Sequence, residues 1–267
     1  MQPRLAIIAG SGDLPRMIAE ADGDALLVTF DPGAAPVPEG QRHLAASFER
    51  LGALFEGLRA HGVNEVVFAG AMSRPMLDST RFDARTAELM PGLMDAMGKG
   101  DDALLRHVIR IFELEGFAVR AVPEVMPDLL LPPHKSMGRR PTRAEREDAL
   151  RALDILVALS PQDVAQAAVV EGGLCLGIET LQGTDAMLRF VAETPGHLRR
   201  GRGVFVKAAK TGQDLRIDMP TIGPRTVRGV ILAGLAGMFI AADGVLVLNQ
   251  DEVRRLVEEH DLFLLAR

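Results

Sequence analysis

"RLAIIAGSGDLPRMIAEAD", residues 4–22, sets the fold. Its first half is a continuous apolar run closed by Gly10, the pattern of a strand buried on both faces. Its second half turns through "GSGDLP" (10–15) and opens a helix whose first turn suits Pro15. The alternation continues downstream. "DALLVTFD" (24–31) reads as a second strand and "NEVVFAG" (64–70) as a third. Between them "FERLGALFEGLRAHG" (48–62) has helical apolar spacing at Leu51, Leu54, Phe55 and Leu58. "DALLRHVIRIFELEG" (102–116) reads as a helix and "FAVRAVPEV" (117–125) as a strand. This order predicts a mostly parallel sheet with helices on both faces, a Rossmann-like N-terminal domain over residues 1–132. Ligands in such sheets bind beyond the carboxyl ends of the strands, the edge that "AGSGDLP" and "AGAMSRP" occupy.

"LPPHKSMGRRPTRAERED" (131–148) is proline-rich and basic, with no apolar periodicity. It predicts a linker over 133–145 and a second α/β domain over 146–267. Its cluster of Lys135, Arg139, Arg140, Arg143 and Arg146 reads as solvated, with contact to anionic lipid or phosphate as the alternative. Beyond it, "EREDALRALDILVALS" (145–160), "TDAMLRFVAET" (184–194) and "QDEVRRLVEEH" (250–260) read as helices, and "TVRGVILAGLAG" (226–237) is compatible with one. "DVAQAAVVEGG" (163–173), "LCLGIET" (174–180), "GVFVKAA" (203–209), "DLRIDMP" (214–220) and "GVLVLNQ" (244–250) read as strands.

Composition narrows the function classes. The 267 residues include no Trp, no Tyr and 11 Phe, so the core is aliphatic and the aromatic platforms of single-strand nucleic-acid binding are scarce. A formal charge of −6 gives no overall field for a polyanion, and no nucleic-acid partner is expected. Cys175 is the single cysteine, which excludes an internal disulfide and a cysteine-based zinc site, and its apolar setting "GGLCLGIE" reads as a buried, inert thiol. The six histidines show no metal-ligand spacing. No run reaches the ~18 apolar residues of a transmembrane helix, and the N-terminus meets glycine and aspartate too early for a signal peptide, so a cytoplasmic location is expected.

Three stretches could carry chemistry. The backbone of "GSGDLP", with Gly10, Ser11, Gly12, Asp13 and Leu14, sits where a strand hands over to a helix and amides receive phosphate. Pro15 stands where the dinucleotide fingerprint has its third glycine, yet Asp31 ends the second strand at a distance suited to a ribose hydroxyl, which keeps a nicotinamide-dependent oxidoreductase open. Gly183, Thr184 and Asp185 begin a helix, as phosphate ligands or as a plain N-cap. The third stretch is "KAAKTGQDLRIDMPTIGPRTV" (207–227). As a strand it sends Asp214, Arg216 and Asp218 to one face and Leu215, Ile217 and Met219 to the other. Two carboxylates there could hold Mg²⁺ while Lys207, Lys210 and Arg216 neutralise phosphoryl oxygens, or the charges could simply pair with one another on a solvated face.

"LAIIAGSGDLP", "VVFAGAMSRP", "GDDALLRHVIRIFELEGF", "PDLLLPP", "LQGTDAML", "VKAAKTGQDLRIDMPTIGPRTV" and "ADGVLVL", in this order over nearly the whole chain, resemble the UDP-2,3-diacylglucosamine pyrophosphatase family of the lipid A pathway. The type is the one common in alphaproteobacteria, unrelated to the metallophosphoesterase-fold enzyme of the same step. One departure is Gln182, where the family carries glutamate. The resemblance implies two α/β domains with the ligand between them, and hydrolysis to UMP and 2,3-diacylglucosamine 1-phosphate (lipid X) with Mg²⁺, or Mn²⁺ in its place. It implies Asp218 as the essential acidic residue, with Asp214, Lys207 and Arg216 beside it and Asp214 and Asp218 as metal ligands. Gly10, Ser11, Gly12, Asp13, Leu14, Gly70, Gly183, Thr184, Asp185, Lys210, Thr211, Gln213, Thr221, Gly223 and Thr226 are the expected substrate-binding residues. A lipid-linked nucleotide sugar as substrate implies peripheral contact with the inner membrane, and a homodimer is a further expectation. A non-catalytic nucleotide-sugar or lipid-binding protein remains the third reading.

Overall fold

The computed structural model describes residues 4–30, 36–72 and 76–267, so Asp31 and the "SRP" of "AGAMSRP" lie outside the described residues. The chain divides into two units: residues 1–127 with 214–218, and residues 128–213 with 219–267.

In the first unit the elements run β1 (Leu5–Ala9), α1 (Leu14–Ala21), β2 (Leu26–Phe30), β3 (His43–Ala46), α2 (Leu51–Ala60), β4 (Glu65–Ala69), α3 (Ala84–Met97), α4 (Asp101–Leu114), β5 (Ala118–Arg120) and α5 (Val122–Val125). The described strands form a five-stranded, wholly parallel sheet in the order β3-β2-β1-β4-β5, the doubly wound arrangement the alternation predicts. β1 and β2 are buried along their whole length, which is why both read as unbroken apolar runs. Leu54, Phe55 and Leu58 of α2 and Ile109, Ile111 and Phe112 of α4 close over the sheet, with Phe55 meeting Phe112 edge-on at 5.3 Å. The strand expected over 117–125 stops at Arg120. Pro123 opens a helical turn there, and the Glu124 carboxylate accepts from the Ala121 amide at 2.7 Å.

The second unit runs β6 (Ser136–Gly138), α6 (Arg143–Leu159), β7 (Ala167–Glu171), β8 (Leu174–Ile178), α7 (Thr184–Ala192), β9 (Val204–Lys207), β10 (Thr221–Ile222), α8 (Pro224–Leu232), β11 (Gly237–Ile240), β12 (Leu246–Val247), α9 (Gln250–Glu259) and β13 (Phe263–Ala266). Its main sheet is mixed, in the order β6-β13-β11-β9-β7-β8, with β13, β11 and β9 parallel and the remaining pairs antiparallel. β10 and β12 make a separate parallel pair. Successive residues of β7 point to opposite layers. Ala167 and Val169 join the core made with α7, α8 and α9, whereas Ala168 and Val170 join the one made with α6.

The residues expected as a linker belong to this second unit. Met137 of β6 is buried against β13, and Arg139 donates to both oxygens of Glu145 while lying over the Phe263 ring at 5.2 Å. Neither contact shows in an apolar periodicity, so the stretch reads as free in sequence. Cys175 is exposed rather than buried, because β8 is an edge strand. Partial burial nonetheless pushes its thiol pKa up. Among the described residues no helix is long and apolar enough to cross a membrane.

Candidate active site

At the carboxyl edge of the first sheet, Gly10 follows β1 and Gly70 follows β4. Their loops cross in close contact: the Ser11 amide donates to the Ala71 carbonyl at 2.8 Å, and the Ala71 amide returns to the Ser11 carbonyl at 3.0 Å. A Cβ on Gly10 would meet the Ala71 carbonyl oxygen at 2.5 Å, and one on Gly70 would meet that of Ser11 at 2.4 Å. These two glycines are therefore required by the approach of one loop to the other, a reason that holds for any ligand or none. Ser11, Gly12 and Asp13 are exposed and open to one, whereas Leu14 is buried. The Leu14 side chain belongs to the core under α1, so the expectation at this position concerns its backbone amide.

In the second unit β9 ends at Lys207, which is only 4% exposed. Its ammonium donates to Oε1 and Oε2 of Glu179 at 3.2 and 3.3 Å and to Oγ1 of Thr184 at 2.6 Å. The Thr184 hydroxyl donates in turn to Glu179 Oε1. Every proton of the ammonium thus has an acceptor, as a buried charge requires. Thr184 opens α7, capped by Gly183 at φ 82°. Asp185, in the same first turn, accepts from Arg225 of α8 at 2.5 Å. The Gly223 amide donates to the buried Thr226 hydroxyl at 3.4 Å, and Thr221 donates to the Met219 carbonyl at 2.9 Å. Lys210 pairs with Asp163, the Thr211 amide donates to Ser160 Oγ at 2.6 Å, and Gln213 Oε1 accepts from the Lys210 amide at 3.1 Å. These links stitch the 208–213 loop to the end of α6.

The run 214–220 is not a strand. The Asp214 carboxylate accepts from the Arg216 amide at 3.1 Å, folding the backbone into a side-chain-closed turn that competes with sheet pairing. Residues 214–218 group with the first unit although the chain on either side belongs to the second. Ile217 packs against the apolar cluster of that first unit. Arg216 forks onto Asp214, with Nη2 to Oδ2 at 2.7 Å and Nε to Oδ1 at 3.0 Å, and its Nη1 reaches Glu113 of α4 at 2.8 Å. These side-chain hydrogen bonds from Arg216, opposed by burial, hold the Asp214 carboxyl below the usual carboxylate range.

The expected metal ligands are thus unequal. Both Asp214 oxygens already accept from Arg216, so Asp214 is an ion-pair partner and does not fit a metal ion without giving up that fork. Among the described residues no group of three or more His, Cys, Asp or Glu side chains is arranged to hold a metal. Magnesium, which takes one or two carboxylates and completes its shell with water and substrate phosphates, does not require such a group.

The structure brings Lys207 together with Thr184, and Asp214 with Arg216, as two constellations in two units. Glu179 and Glu113 stand outside the expected site residues, and the link of Glu113 to Arg216 spans 103 positions. Glu171 is fully engaged: it accepts from Arg199, from the amides of Arg200 and Gly201, and from that of Gly203.

A parallel Rossmann-like unit and a mixed α/β unit define a two-domain α/β protein. Residues 4–129 match the LpxI N-terminal domain and residues 133–265 the LpxI C-terminal domain, so the chain belongs to the LpxI family. It is 38% identical over 275 aligned positions to the UDP-2,3-diacylglucosamine pyrophosphatase LpxI of Caulobacter vibrioides, covering 98% of this chain and 97% of that protein.

Proposed function

We propose that this chain hydrolyses the pyrophosphate bond of UDP-2,3-diacylglucosamine, giving UMP and 2,3-diacylglucosamine 1-phosphate in lipid A biosynthesis. The observation that carries the reading is the end-to-end likeness to the Caulobacter enzyme across both domains. The residues suit the chemistry. Phosphoanhydride hydrolysis demands neutralised oxygens and a positioned water more than a covalent nucleophile.

In this reading Asp218 orients the attacking water and takes up its proton, and its carboxylate would hold Mg²⁺ or Mn²⁺. The ion, when bound, neutralises charge on the phosphoryl oxygens. Exposed Ser11, Gly12 and Asp13 offer backbone groups at the first sheet's edge. The α7 N-terminus, with Gly183 and Thr184 over the Lys207 ammonium, supplies positive potential in the second unit. Purified protein given UDP-2,3-diacylglucosamine and Mg²⁺ releases UMP and lipid X; binding without turnover overturns the reading in favour of a carrier. Asp218→Ala lowers kcat by about a thousandfold or more while ligand affinity stays within about tenfold. EDTA silences the wild type and Mg²⁺ or Mn²⁺ restores it, whereas undiminished turnover in EDTA removes the metal from the scheme.

The same reading extends to partners. A substrate with two acyl chains resides in a bilayer, so the protein docks peripherally on the inner membrane and co-sediments with vesicles containing the substrate. A homodimer is tested by light scattering on the eluting protein.

A further inference from the structure

We propose that Glu113 of α4 is a positioning residue for the loop that carries Asp218, acting through Arg216. The inference rests on the hydrolase reading above. Among the described residues, Ile217 enters the apolar cluster and Arg216 reaches Glu113, and these contacts fasten the 214–218 turn within its unit. The ionic contact is the directional one. Arg216 Nη1 is spent on Glu113, while Nε and Nη2 are spent on Asp214, so the planar guanidinium lies fixed between two carboxylates. The Asp214 carboxylate also accepts from the Arg216 amide, so the backbone of the turn is locked by the same cluster. Asp218 follows Arg216 by two residues, a span of about 7 Å at full extension, so a shift of the turn at Arg216 is carried to it. A catalytic group displaced by about 1 Å loses on the order of a hundredfold in rate.

Glu113 contributes little to the fold by comparison. Its side chain is 46% exposed on the last turn of α4, and exposed ion pairs stabilise by only about 0–1 kcal/mol. A residue so placed changes melting little and catalysis much, if its work is to aim the loop.

Glu113→Ala, Glu113→Gln, Arg216→Ala and the double alanine variant are assayed on UDP-2,3-diacylglucosamine beside the wild type and Asp218→Ala. Glu113→Ala lowers kcat by about tenfold with KM within about twofold. Its melting temperature matches the wild type. Arg216→Ala loses at least as much, and the double variant is no worse than Arg216→Ala alone, because the two residues act as one unit. Glu113→Gln, which keeps an acceptor without the charge, falls between Glu113→Ala and wild type. Amides of residues 214–219 exchange hydrogen faster in Glu113→Ala than in the wild type, and those of the sheet do not. Wild-type kcat in Glu113→Ala, losses that multiply in the double variant, or unchanged exchange at 214–219 each overturn the proposal. When the wild type is active and Asp218→Ala is inactive, any of these outcomes counts against Glu113 alone. A wild type that does not turn over this substrate removes the hydrolase reading and the proposal together.

Discussion

Two ion networks, one in each unit, answer the same sequence signal in opposite ways. Lys207, Glu179 and Thr184 close a network almost free of water, with Lys207 at 4% exposure. Glu113, Arg216 and Asp214 form an open chain, with the Arg216 side chain at 40% and Glu113 at 46%. Both combine a basic residue with carboxylates near glycine or proline breaks, and the sequence alone does not distinguish them. Water does. Screening makes the exposed chain nearly worthless for stability but leaves its geometry intact, whereas in the dry network each partner is obliged to keep the others. One network is therefore a keystone and the other an aiming device.

The largest effect that would break this contrast lies in the dry network. Glu179→Ala leaves the Lys207 ammonium buried with only Thr184, and costs about 3–5 kcal/mol in urea unfolding. Replacing the pair together, Glu179→Leu with Lys207→Met, recovers most of that loss, because an apolar pair of similar volume has no charge to desolvate. A loss under about 1 kcal/mol in the single variant would put Glu179 on the same footing as Glu113 and dissolve the distinction. If the double variant is stable but inactive, the Lys207 charge serves substrate as well as fold.

A smaller effect belongs to the open chain. Arg216→Ala changes the free energy of unfolding by about 1 kcal/mol or less, set against its much larger expected loss of turnover. A cost several times greater would mean that the 214–218 turn is a pillar of the first unit, and the rate loss would then report unfolding.

How far these two networks could be read from sequence follows from where their contacts lie. In the first unit β1, β2 and β4 are legible, since they are buried on both faces and announce themselves as apolar runs, whereas α3, with Pro91 inside it and only Thr86 and Ala96 buried, escapes. β3 escapes because "HLAA" is a half-exposed edge strand with one strong apolar residue. In the second unit β6, β10, β11 and β13 escape: β6 and β10 are three and two residues long, the one buried side chain of β6 sits in a proline-rich basic stretch, and β11 follows α8 with no polar break in the apolar run. The candidate site is half legible. Alternation places Asp214, Arg216 and Asp218 on one face of a strand, but the Asp214 carboxylate caps the Arg216 amide and turns the chain instead. The grouping of Asp214 with Arg216 holds despite that error, because residues two apart meet in such a turn as well. Glu113 is beyond reach, since no local pattern relates α4 to a residue 103 positions later.

The finest test of the contrast is titration. Arg216 holds the Asp214 carboxyl below its ordinary value of 3.8, chiefly through side-chain hydrogen bonds, with burial opposing. A carboxyl depressed in the folded state contributes stability above its unfolded value, and that contribution is lost as pH falls through the folded one. The wild type is therefore more stable than Arg216→Ala by a constant margin between about pH 5 and pH 7, and the margin shrinks below about pH 4. Urea unfolding at a series of pH values measures it in both proteins. A margin that stays constant into acid would mean that Arg216 does not favour the ionised carboxylate, and that the turn owes its shape to the amide hydrogen bond and Ile217 alone. A margin that narrows identifies the guanidinium fork as the ionic half of the hold on Asp218, weak in free energy and still able to fix a direction.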